Sequence, residues 1–392
     1  MESLIAQFME RYLSRQEIIH RLPVSISIQQ FWPELEKERR KRSQELPLLD
    51  QNGKPFWFVL TGGIEKQCDA IAELARRDIA FTGPEFDALF QDAVVDEAVY
   101  SSVIEGAFTS REQAVDFIRQ NKQPRNKSEQ MVKNNYEALT YVLEHIDESI
   151  TEQTIFDIYA LVTKDTLEAD VPTNAYRSES VFVQSSRGEI VHTAPEAEKV
   201  SGMMASLLEF ITNNELSPLI KACIAHFYFV YVHPFIDGNG RTARALSFMM
   251  LLQAGYDFFR YFSISGVIAE ERAKYYKAIK DVEDDDFDMT YFIDYYTGML
   301  ARAVKAMEER LVDKVVMEQT LDKLKAAGMN SRVIEGAKWI LTSPNQSITI
   351  KAWQKKFGVV LETARQDLFK LEDAGIVHRK LVKRQYVFEV KK

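Results

Sequence analysis

The stretch "FYFVYVHPFIDGNGRTARALSFMML", Phe227–Leu251, decides how the chain is interpreted. An apolar run ends at His233, a mostly polar or small segment follows, and a second apolar run begins. The first run completes "SPLIKACIAHFYFVYV", which is apolar on nearly every side and therefore predicts a helix buried at the centre of a domain. His233-Pro234 predicts its end, because the residue before a proline avoids the helical region. A second helix is predicted from Arg241 to near Gly255.

The start of the second predicted helix carries an unusual charge. Arg241 and Arg244 stand in its first turn, where the helix dipole disfavours positive charge. Gly238-Asn239-Gly240 forms a flexible turn whose backbone N–H groups can converge on an anion, and a polyphosphate would explain both arginines. Asp237 would repel phosphate directly but can hold a Mg²⁺ that bridges phosphate oxygens. His233, at the exit of the buried helix, is the candidate general base.

Each of these residues has a simpler interpretation on its own. A single histidine at a helix end is usually structural, and Gly-Asn-Gly is an ordinary turn. Their concentration between His233 and Arg244 favours the phosphate site. The chain contains no G-x-x-x-x-G-K-[ST] sequence, so this would be a phosphate cradle of a different kind from the P-loop.

Composition describes an ordinary globular protein. The 392 residues are 46% apolar and 27% charged, which predicts two or three domains and excludes disordered and fibrous classes. No signal peptide or transmembrane segment is expected from the sequence. Cys68 and Cys223 lie in apolar helical surroundings without metal-ligand spacing, which indicates buried thiols in a reducing, cytoplasmic setting.

The chain changes character along its length. Residues 1–56 form a mixed N-terminal extension, with a charged helical stretch at Glu34–Leu46 and a turn at Asp50–Pro55. Helical periodicity dominates the following domain, residues 57–314. Within it, Ser180–Pro195 has short β-branched runs around a polar turn and predicts a β-hairpin. The acidic cluster Asp281–Asp288 is interpreted as a solvated loop rather than as a metal site.

A family resemblance rests on "HPFIDGNGRTAR", His233–Arg244, which matches every defining position of the Fic motif, H-x-F-x-[DE]-G-N-G-R-x-x-R. The chain resembles Fic proteins, most of which transfer AMP from ATP to a hydroxyl side chain of a target protein. The resemblance runs from Trp57 to Lys314, with the motif core at about residues 150–300. It implies a mainly α fold, a Fic-type helical bundle with a small β-hairpin flap, and ATP and Mg²⁺ as co-substrate and metal.

The resemblance also implies roles for the motif residues. His233 would deprotonate a target Ser, Thr or Tyr, and Asp237 would hold Mg²⁺ on the α- and β-phosphates. Arg244 would bind the γ-phosphate, and Phe235 should face inward and fix the loop. A helix like "ERAKYYKAIKDVE" lines the nucleotide pocket in the family, although one of its two tyrosines could instead belong to the core. The implied nucleotide-binding residues are Gly238, Asn239, Gly240, Arg241, Arg244, Tyr275 and Tyr276.

An inhibitory pattern, [ST]-x-x-x-E-[GN], is matched by "YSSVIEGAF" through Ser101, Glu105 and Gly106. A helix is predicted from about residue 92 to residue 106, which places Glu105 at a helix C-terminus, where the dipole disfavours a carboxylate. The resemblance implies that Glu105 pairs with Arg244 and blocks the γ-phosphate site. The alternative is a solvated glutamate beside a capping glycine.

The predicted hairpin lies where the family has its flap, which holds a target segment by strand-like backbone pairing. The flap candidates are Val183, Gln184, Ile190 and His192. The chain lacks two features of the family's flap pattern. No glycine precedes the arginine in "NAYRSES", and "HTAP" has one proline where the family usually has two.

The C-terminal residues 330–392 are basic. They contain thirteen Lys or Arg and six Asp or Glu, so they carry +7, while the rest of the chain carries −16. Helix, turn, helix and two strands resemble a winged helix-turn-helix with Leu361–Ala374 as the recognition helix. The groove-facing candidates are Thr363, Arg365 and Gln366, and the wing candidates are Lys380, Lys383 and Arg384. Protein docking or dimerisation is the alternative, which the acidic residues of the same helix favour: Glu362, Asp367, Glu372 and Asp373.

Two classes of function follow from the sequence. The first is a protein adenylyltransferase that is autoinhibited by Glu105, with removal of AMP from a modified target as its reverse variant. The second is a DNA- or protein-binding regulator whose Fic core serves as a nucleotide-controlled switch. The presence of both His233 and Asp237 favours the enzyme. The expected partners are a target protein with a hydroxyl side chain, DNA or protein at the winged helix, and a second copy in a homodimer, with no membrane.

Overall fold

The structure, a computed structural model, describes residues 1–76, 84–120, 122–168, 171–184, 190–342, 347–382 and 385–391. The chain divides into two compact units, Met1–Lys305 and Ala306–Lys392. Within the described residues, no helix combines the length and the apolar character needed to cross a membrane. Neither Cys68 nor Cys223 forms a disulfide there; Cys223 is buried as predicted, and Cys68 is only partly buried.

The first unit is mainly helical, as the sequence predicts. It begins with α1 (Glu2–Glu10), α2 (Arg15–Ile19), α3 (Ile28–Arg40), β1 (Gln44–Leu49), β2 (Pro55–Phe58), α4 (Gly62–Arg76), α5 (Pro84–Ile104), α6 (Arg111–Arg119), α7 (Lys127–Glu144) and α8 (Glu152–Thr163). It continues with β3 (Phe182–Gln184), β4 (Ile190–Thr193), α9 (Ala197–Asn213), α10 (Pro218–Val232), α11 (Asn239–Gln253), a 3₁₀ helix (Asp257–Tyr261), α12 (Ile264–Glu270) and α13 (Arg272–Asp284). The long helix α14 (Thr290–Ala326) ends in the second unit.

The two helices predicted around the motif are confirmed. Helix α10 is buried along nearly its whole length, and it packs against α11, whose apolar residues are also buried. A helix that is apolar on all sides needs partners on all sides. Helix α9 and the aromatic side chains of α14 are among the neighbours of α10, including Phe292, which lies 5.3 Å from Phe227 between ring centroids. The motif loop therefore connects two helices that are both buried along most of their length.

The prediction of a helix through Glu34–Leu46 is wrong at its C-terminal end. Helix α3 stops at Arg40, and Gln44–Leu49 is strand β1, which pairs antiparallel with β2. Leu46 and Leu48 alternate with exposed residues and are buried beneath this hairpin, so tertiary packing outweighs the helix propensity of the charged residues. The predicted turn is present, because the Asp50 carboxylate accepts hydrogen bonds from the backbone N–H groups of Asn52 and Lys54.

The interpretation of Asp281–Asp288 as a solvated loop is also wrong. Asp281, Asp285 and Asp288 are buried, and Asp281 lies within α13. The N-terminal helices cover the segment: the hydroxyl of Tyr12 donates to Asp288 Oδ2 at 2.7 Å, and the N–H of Arg15 donates to Asp285 Oδ2 at 3.1 Å. Burial raises the pKa of Asp288 to about 6. This acidic cluster therefore anchors the N-terminal extension to the helical domain.

The predicted hairpin is present as strands β3 and β4. They pair antiparallel, with Phe182 opposite Thr193 and Val183 opposite His192. The turn at 185–189 lies outside the described residues. Helix α9 follows β4 in the chain and connects the hairpin to α10.

The second unit contains the end of α14, α15 (Ser331–Thr342), β5 (Ser347–Thr349), α16 (Ile350–Phe357), α17 (Leu361–Asp373), β6 (Val377–Val382) and β7 (Gln385–Val390). The two helices and two strands predicted after residue 350 are found, and a short strand β5 adds to the sheet, whose order is β5-β7-β6 with antiparallel pairs. Trp353, Leu368 and Phe388 are fully buried in its core.

The surface of α17 differs from expectation at one acidic residue. Asp367 is buried: its carboxylate accepts from Arg332 Nε at 2.6 Å and from Trp353 Nε1 at 3.2 Å. Arg365 and Gln366 are exposed, and Thr363 is partly buried. Asp367 therefore stabilises the core and adds no negative charge to the surface. Lys383 and Arg384 lie outside the described residues, whereas Lys380 is exposed.

Candidate active site

His233 occupies the C-cap of α10 in a left-handed backbone conformation, with φ 50°. Its N–H still closes the last helical turn on the carbonyl of Phe229, and Pro234 prevents the helix from continuing. The Nδ1 atom of His233 lies 3.2 Å from the carbonyl oxygen of Val230. Because a carbonyl only accepts, Nδ1 must carry the hydrogen, and the lone pair of the neutral ring is on Nε2. His233 can therefore accept a proton at Nε2.

The surroundings of His233 keep it neutral. Burial lowers its pKa to about 4, and the charges of His192 and Arg177 act in the same direction, while the carbonyl of Val230 and Glu105 oppose them. A base must be unprotonated to act, so this environment suits a general base at neutral pH.

Phe235 and Asn239 hold the motif loop in shape. The ring of Phe235 is buried and stacks on Tyr159, with centroids 3.6 Å apart, as the sequence predicts for the inward aromatic. The side chain of Asn239 accepts from the N–H of Phe235 at 2.9 Å and donates to its carbonyl at 2.8 Å. The Asn239 side chain is thus used inside the loop, so any contact of Asn239 with an anion would come from its backbone.

The two glycines of the turn are required by close approaches. Gly238 has φ 79°, and a Cβ there would lie 2.7 Å from Thr163 Cγ2. A Cβ on Gly240 would lie 2.1 Å from Glu105 Oε1 and 3.2 Å from Arg244 Nη1. The space beside Gly240, called the Gly240 cradle below, is therefore occupied by the Glu105 carboxylate and bordered by the Arg244 guanidinium.

Arg241 is buried beneath the loop. Its Nη1 donates to the carbonyl of Val162, at the end of α8, at 2.6 Å, and its Nη2 donates to Asp237 Oδ1 at 3.3 Å. Burial lowers the pKa of Arg241, and Asp237 and Glu105 partly offset this. Arg241 therefore holds Asp237 and joins the motif loop to α8, and the predicted phosphate contact of Arg241 stays a prediction.

Arg244 is paired with Glu105. Its Nη2 lies 2.9 Å from Glu105 Oε1, and Ser101 binds the same guanidinium through its hydroxyl and its carbonyl, each at 2.8 Å. Burial alone would lower the pKa of Arg244, but Glu105 and the nearby tyrosines outweigh it and raise the value. The buried Nη1 atom has no hydrogen-bond partner among the described residues. A buried donor without a partner is costly, and an anion beside Gly240 would satisfy it.

Glu105 follows directly on the end of α5, which begins at Pro84, earlier than the sequence suggests, and ends at Ile104. Gly106 has φ 92°, and the N–H of Ala107 turns back to the carbonyl of Ser102. This glycine-based termination points the Glu105 side chain, 29% exposed, at the start of α11. Helix α11 begins at Asn239, two residues before the predicted start, so Arg244 lies in its second turn and not in its first. The carboxylate that follows α5 and this buried guanidinium compensate each other.

The two tyrosines of α13 differ in environment. Tyr275 is buried, and its hydroxyl lies 2.9 Å from Nε2 of the fully buried His226. Tyr276 is 37% exposed, and its hydroxyl donates to the carbonyl of Ile104 at 3.3 Å. Tyr275 therefore belongs to the buried core near Arg244, and Tyr276 is the tyrosine that is exposed at the surface of the site.

His192 faces inward from strand β4. Its Nε2 donates to the carbonyl of Tyr231 at 2.8 Å, and its Nδ1 lies 2.8 Å from Glu283 Oε1. A target segment could therefore meet His192 only through its backbone. The side chains of three other flap candidates lie outside the described part of the structure: Val183, Gln184 and Ile190.

One residue close to the site was not assigned a role by sequence reasoning. Arg177 is 5% exposed, and its guanidinium binds backbone carbonyls around His233. The sequence offers only a lone arginine in a polar loop, "NAYRSES", and nothing in that pattern indicates burial.

The donor set suits a phosphate-bound magnesium ion. Within the described ranges, no group of three or more His, Cys, Asp or Glu residues is arranged to hold a metal by itself. Asp237 is partly exposed, and Arg241 and the N–H of Gly238 orient its carboxylate. Protein-bound Mg²⁺ commonly uses one or two carboxylates together with substrate phosphates and water. Asp237 fits that need.

Comparison with known proteins finds one family model that matches the region of this loop. Residues 149–251 match the model of the Fic/DOC family. The matched region contains the whole motif, His233–Arg244.

Curated relatives of this domain share one name. The protein adenylyltransferase Fic of Nematostella vectensis is 37% identical over 128 residues, which are 31% of this chain and 28% of that protein. The protein of the same name from Drosophila willistoni is 28% identical over 158 residues, which are 38% of this chain and 29% of that protein. The chain thus spans less than a third of the length of these relatives.

Solved structures agree on the fold. A Fic family protein from Desulfovibrio desulfuricans G20 matches with a TM-score of 0.57 and 21% identity, over 86% of this chain and 98% of that one. Fic-1 from C. elegans matches with a TM-score of 0.50 and 19% identity, over 63% of this chain and 72% of that one. At these identities the likeness establishes the fold.

Proposed function

We propose that the protein transfers AMP from ATP to a Ser, Thr or Tyr hydroxyl of a target protein, and that Glu105 inhibits this transfer. The observation that carries the proposal is the geometry around Arg244: a buried guanidinium in the second turn of α11, with one nitrogen lacking a partner among the described residues and facing the Gly240 cradle. The name shared by the curated relatives supports the same reaction.

His233 is the proposed general base. A target hydroxyl would give its proton to Nε2, whose lone pair is available because Nδ1–H is held by the carbonyl of Val230. The hydroxyl oxygen would then form a bond to the α-phosphorus of ATP, and the bond from that phosphorus to the bridging oxygen would break. Pyrophosphate leaves with the bonding electron pair, and the proton on His233 is released to solvent. Such transfers depend mainly on positioning and on stabilisation of phosphate charge.

The phosphates would lie at the N-terminus of α11. The free N–H groups of its first turn and the positive end of its dipole favour an anion. Arg244 would bind the γ-phosphate through the nitrogen that faces Gly240. Asp237 would hold Mg²⁺, which neutralises phosphate charge when bound, and Arg241 would keep the Asp237 carboxylate in place. Tyr276 is the proposed nucleotide contact from α13, with Tyr275 behind it.

Glu105 is the proposed inhibitor because it occupies the partner position that the γ-phosphate needs. Its Oε1 lies 2.9 Å from Arg244 Nη2 and beside the Gly240 cradle. A second anion in that space would face the carboxylate directly. ATP would bind only with its γ-phosphate displaced, so the α-phosphorus would be wrongly oriented for attack.

The test is incubation of the protein with ATP labelled on the α-phosphate, in the presence of cell lysate. Label on a protein band from Glu105→Gly, and none from Glu105→Gly/His233→Ala, is the expected result. A matched reaction with ATP labelled on the γ-phosphate should add no label beyond that found with lysate alone, which separates AMP transfer from phosphorylation. Absence of α-label from Glu105→Gly, despite ATP binding, would contradict the proposal. Loss of AMP from a premodified target would instead indicate the reverse reaction.

The second unit supports a further candidate function. The order α15-β5-α16-α17-β6-β7 and the charge of +7 over residues 330–392 support a winged helix-turn-helix that binds DNA. Arg365 and Gln366 on exposed α17 would enter the groove. The burial of Asp367 removes one of the acidic residues that argued against nucleic acid.

Free thiols at Cys68 and Cys223 support a reducing, cytoplasmic location.

A further inference from the structure

The end of α10 is bound by Arg177, which precedes strand β3, and by His192 of strand β4. Residues 177–195 are called the flap segment below. The backbone N–H of Arg177 donates to the carbonyl of Pro234 at 2.9 Å. Its Nε donates to the carbonyl of His233 at 2.8 Å, and its Nη2 reaches the carbonyl of Val232 at 3.3 Å. A single residue thus satisfies three successive carbonyls, the last one of α10 and the two that follow it.

The same guanidinium also binds both ends of the flap. Nη1 of Arg177 donates to the carbonyl of Glu179, just before β3, at 2.7 Å, and Nη2 donates to the carbonyl of Pro195, just after β4, at 2.6 Å. From within β4, His192 adds its bond to the carbonyl of Tyr231. Four consecutive carbonyls around His233 are therefore held by residues of the flap segment.

The charge of Arg177 has no carboxylate partner among the described residues. Burial lowers its pKa, and the partners of its guanidinium among the described residues are carbonyl oxygens. A buried guanidinium is expensive. This charge is stabilised by the converging carbonyls and by the negative end of the α10 dipole. This arrangement goes beyond what a simple helix end requires.

We infer that Arg177 is a positioning residue that couples the flap to His233, so that a target backbone held on the flap and the Nε2 atom of His233 stay at one fixed separation. The inference rests on the proposed function. A flap strand that could slide relative to α10 would present the target hydroxyl at varying distances from the base. A misplacement of about 1 Å can cost about 10²-fold in rate.

The test compares two substitutions in the Glu105→Gly protein. Arg177→Gln removes the charge and most of the donors, whereas Arg177→Lys keeps the charge and loses the planar fork. Both should lower kcat for AMP transfer by about 10²-fold, while the Kd for ATP stays within about twofold, because neither change touches the phosphate site. Arg302→Lys, at an exposed arginine of the same unit that pairs with Glu270 and Glu271, is the matched control and should leave kcat unchanged.

The pH profile separates charge from geometry. The charged groups that act on His233 are His192, Arg177 and Glu105, and the last is absent from the parent. Loss of the Arg177 charge should move the acid limb of kcat/KM to higher pH in Arg177→Gln, and Arg177→Lys should keep the parent's limb at a lower rate. A full rate in either variant would overturn the inference. A parallel fall in rate, ATP affinity and melting temperature would also overturn it, since that is the mark of general destabilisation.

A measurement that needs no activity keeps the two proposals distinguishable. In the full chain, Arg177→Gln should increase backbone hydrogen exchange in residues 179–184 and 231–235 together. An increase confined to one of these segments would refute the coupling. If the Glu105→Gly parent transfers no AMP at all, the proposed function fails, and hydrogen exchange still decides whether Arg177 joins the two segments.

Discussion

Glu105 Oε1 lies 2.9 Å from Arg244 Nη2, although the two residues are 139 positions apart. Glu105 follows the C-terminus of α5, where the dipole disfavours a carboxylate, and Arg244 is a buried cation in the second turn of α11, so each charge is stabilised by the other. Arg244 is buried, and Glu105 is the partner that can be removed without dismantling the loop. The pair is therefore suited to exchange one anion, a carboxylate, for another, a phosphate.

Substitution of Glu105 should activate the protein strongly. Removal of one charged competitor from a buried site is worth several kcal/mol, and each ~1.4 kcal/mol is tenfold, so Glu105→Gly should raise AMP transfer by about 10²–10³-fold. Glu105→Gln keeps the volume of the side chain and loses its charge, so its rate of AMP transfer should lie between those of wild type and Glu105→Gly. The measurement is initial rate with α-labelled ATP, with self-modification as one readout. Equal rates for wild type and Glu105→Gly would mean that "SSVIEG" is only a capped helix end.

Arg244 should discriminate between ATP and ADP. If it binds the γ-phosphate, Arg244→Ala in the Glu105→Gly protein should weaken ATP by about 10–100-fold and leave ADP nearly unchanged, because a charge-assisted contact is worth about 1.5–3 kcal/mol. Calorimetric titration with both nucleotides measures this difference. An equal loss for ATP and ADP would place Arg244 on another phosphate, and a double variant as active as Glu105→Gly would exclude it as a clamp.

The pH dependence of transfer should follow the lowered pKa of His233. A base with a pKa of about 4 is unprotonated down to that pH, so kcat/KM should stay level from pH 8 to about pH 5 and fall below it. An unperturbed histidine would lose activity near pH 6.5. The profile is best measured in Glu105→Gly, and an acid limb near 6.5 would show that His233 is not held in this buried, neutral state during turnover.

Much of the site can be read from the sequence because its parts are close along the chain. His233 at the end of α10 and Arg244 in the second turn of α11 flank one short loop, and the apolar runs on either side predict the helices that hold it. The pairing of Glu105 with Arg244 came from a family resemblance and is present in the structure. Phe235 was expected to face inward and stacks on Tyr159.

The features that the sequence did not reveal depend on distant backbone groups. Arg177 acts on carbonyls, which every residue has, so no pattern of side chains announces its burial. The acidic cluster looked solvated because its cover, the N-terminal helices, lies more than 240 positions away: Arg40, for example, pairs with Asp286. Strand β1 was missed because the charged run that precedes it favours a helix, whereas the pairing with β2, which favours a strand, is a tertiary contact.

DNA binding by the second unit should depend steeply on salt. Contacts with phosphates release counterions, so affinity of the full chain for duplex DNA should fall by about 10²-fold or more between 50 and 200 mM salt. Arg365→Ala/Gln366→Ala should weaken binding, whereas Lys66→Ala, which removes one exposed charge from the first unit, should not. Gel shifts at several salt concentrations measure both effects. Binding that is absent, or insensitive to salt, would assign this unit to protein docking.

His226 should make the folded state sensitive to mild acid. It is fully buried, with its ring stacked on Phe292 and its Nε2 at the hydroxyl of Tyr275, and burial together with the charge of Arg244 lowers its pKa to about 3. As the pH falls through 6.5, the unfolded chain binds a proton at His226 and the folded protein does not. Stability is therefore lost between pH 6.5 and about pH 3, and the loss from pH 7 to pH 5 is about 2 kcal/mol for this group.

The comparison with His226→Gln isolates that contribution. Glutamine does not titrate and can still bond to the hydroxyl of Tyr275, so the variant should lose about 2 kcal/mol less than wild type between pH 7 and pH 5. His233, which shifts stability in the same direction, and Asp288, whose raised pKa shifts it the opposite way, are present in both proteins and cancel in the difference. Urea denaturation of both proteins at the two pH values gives the four free energies of unfolding. An equal loss in wild type and variant would show that His226 is already protonated in the folded protein beneath Arg244, against the burial that the structure assigns to it.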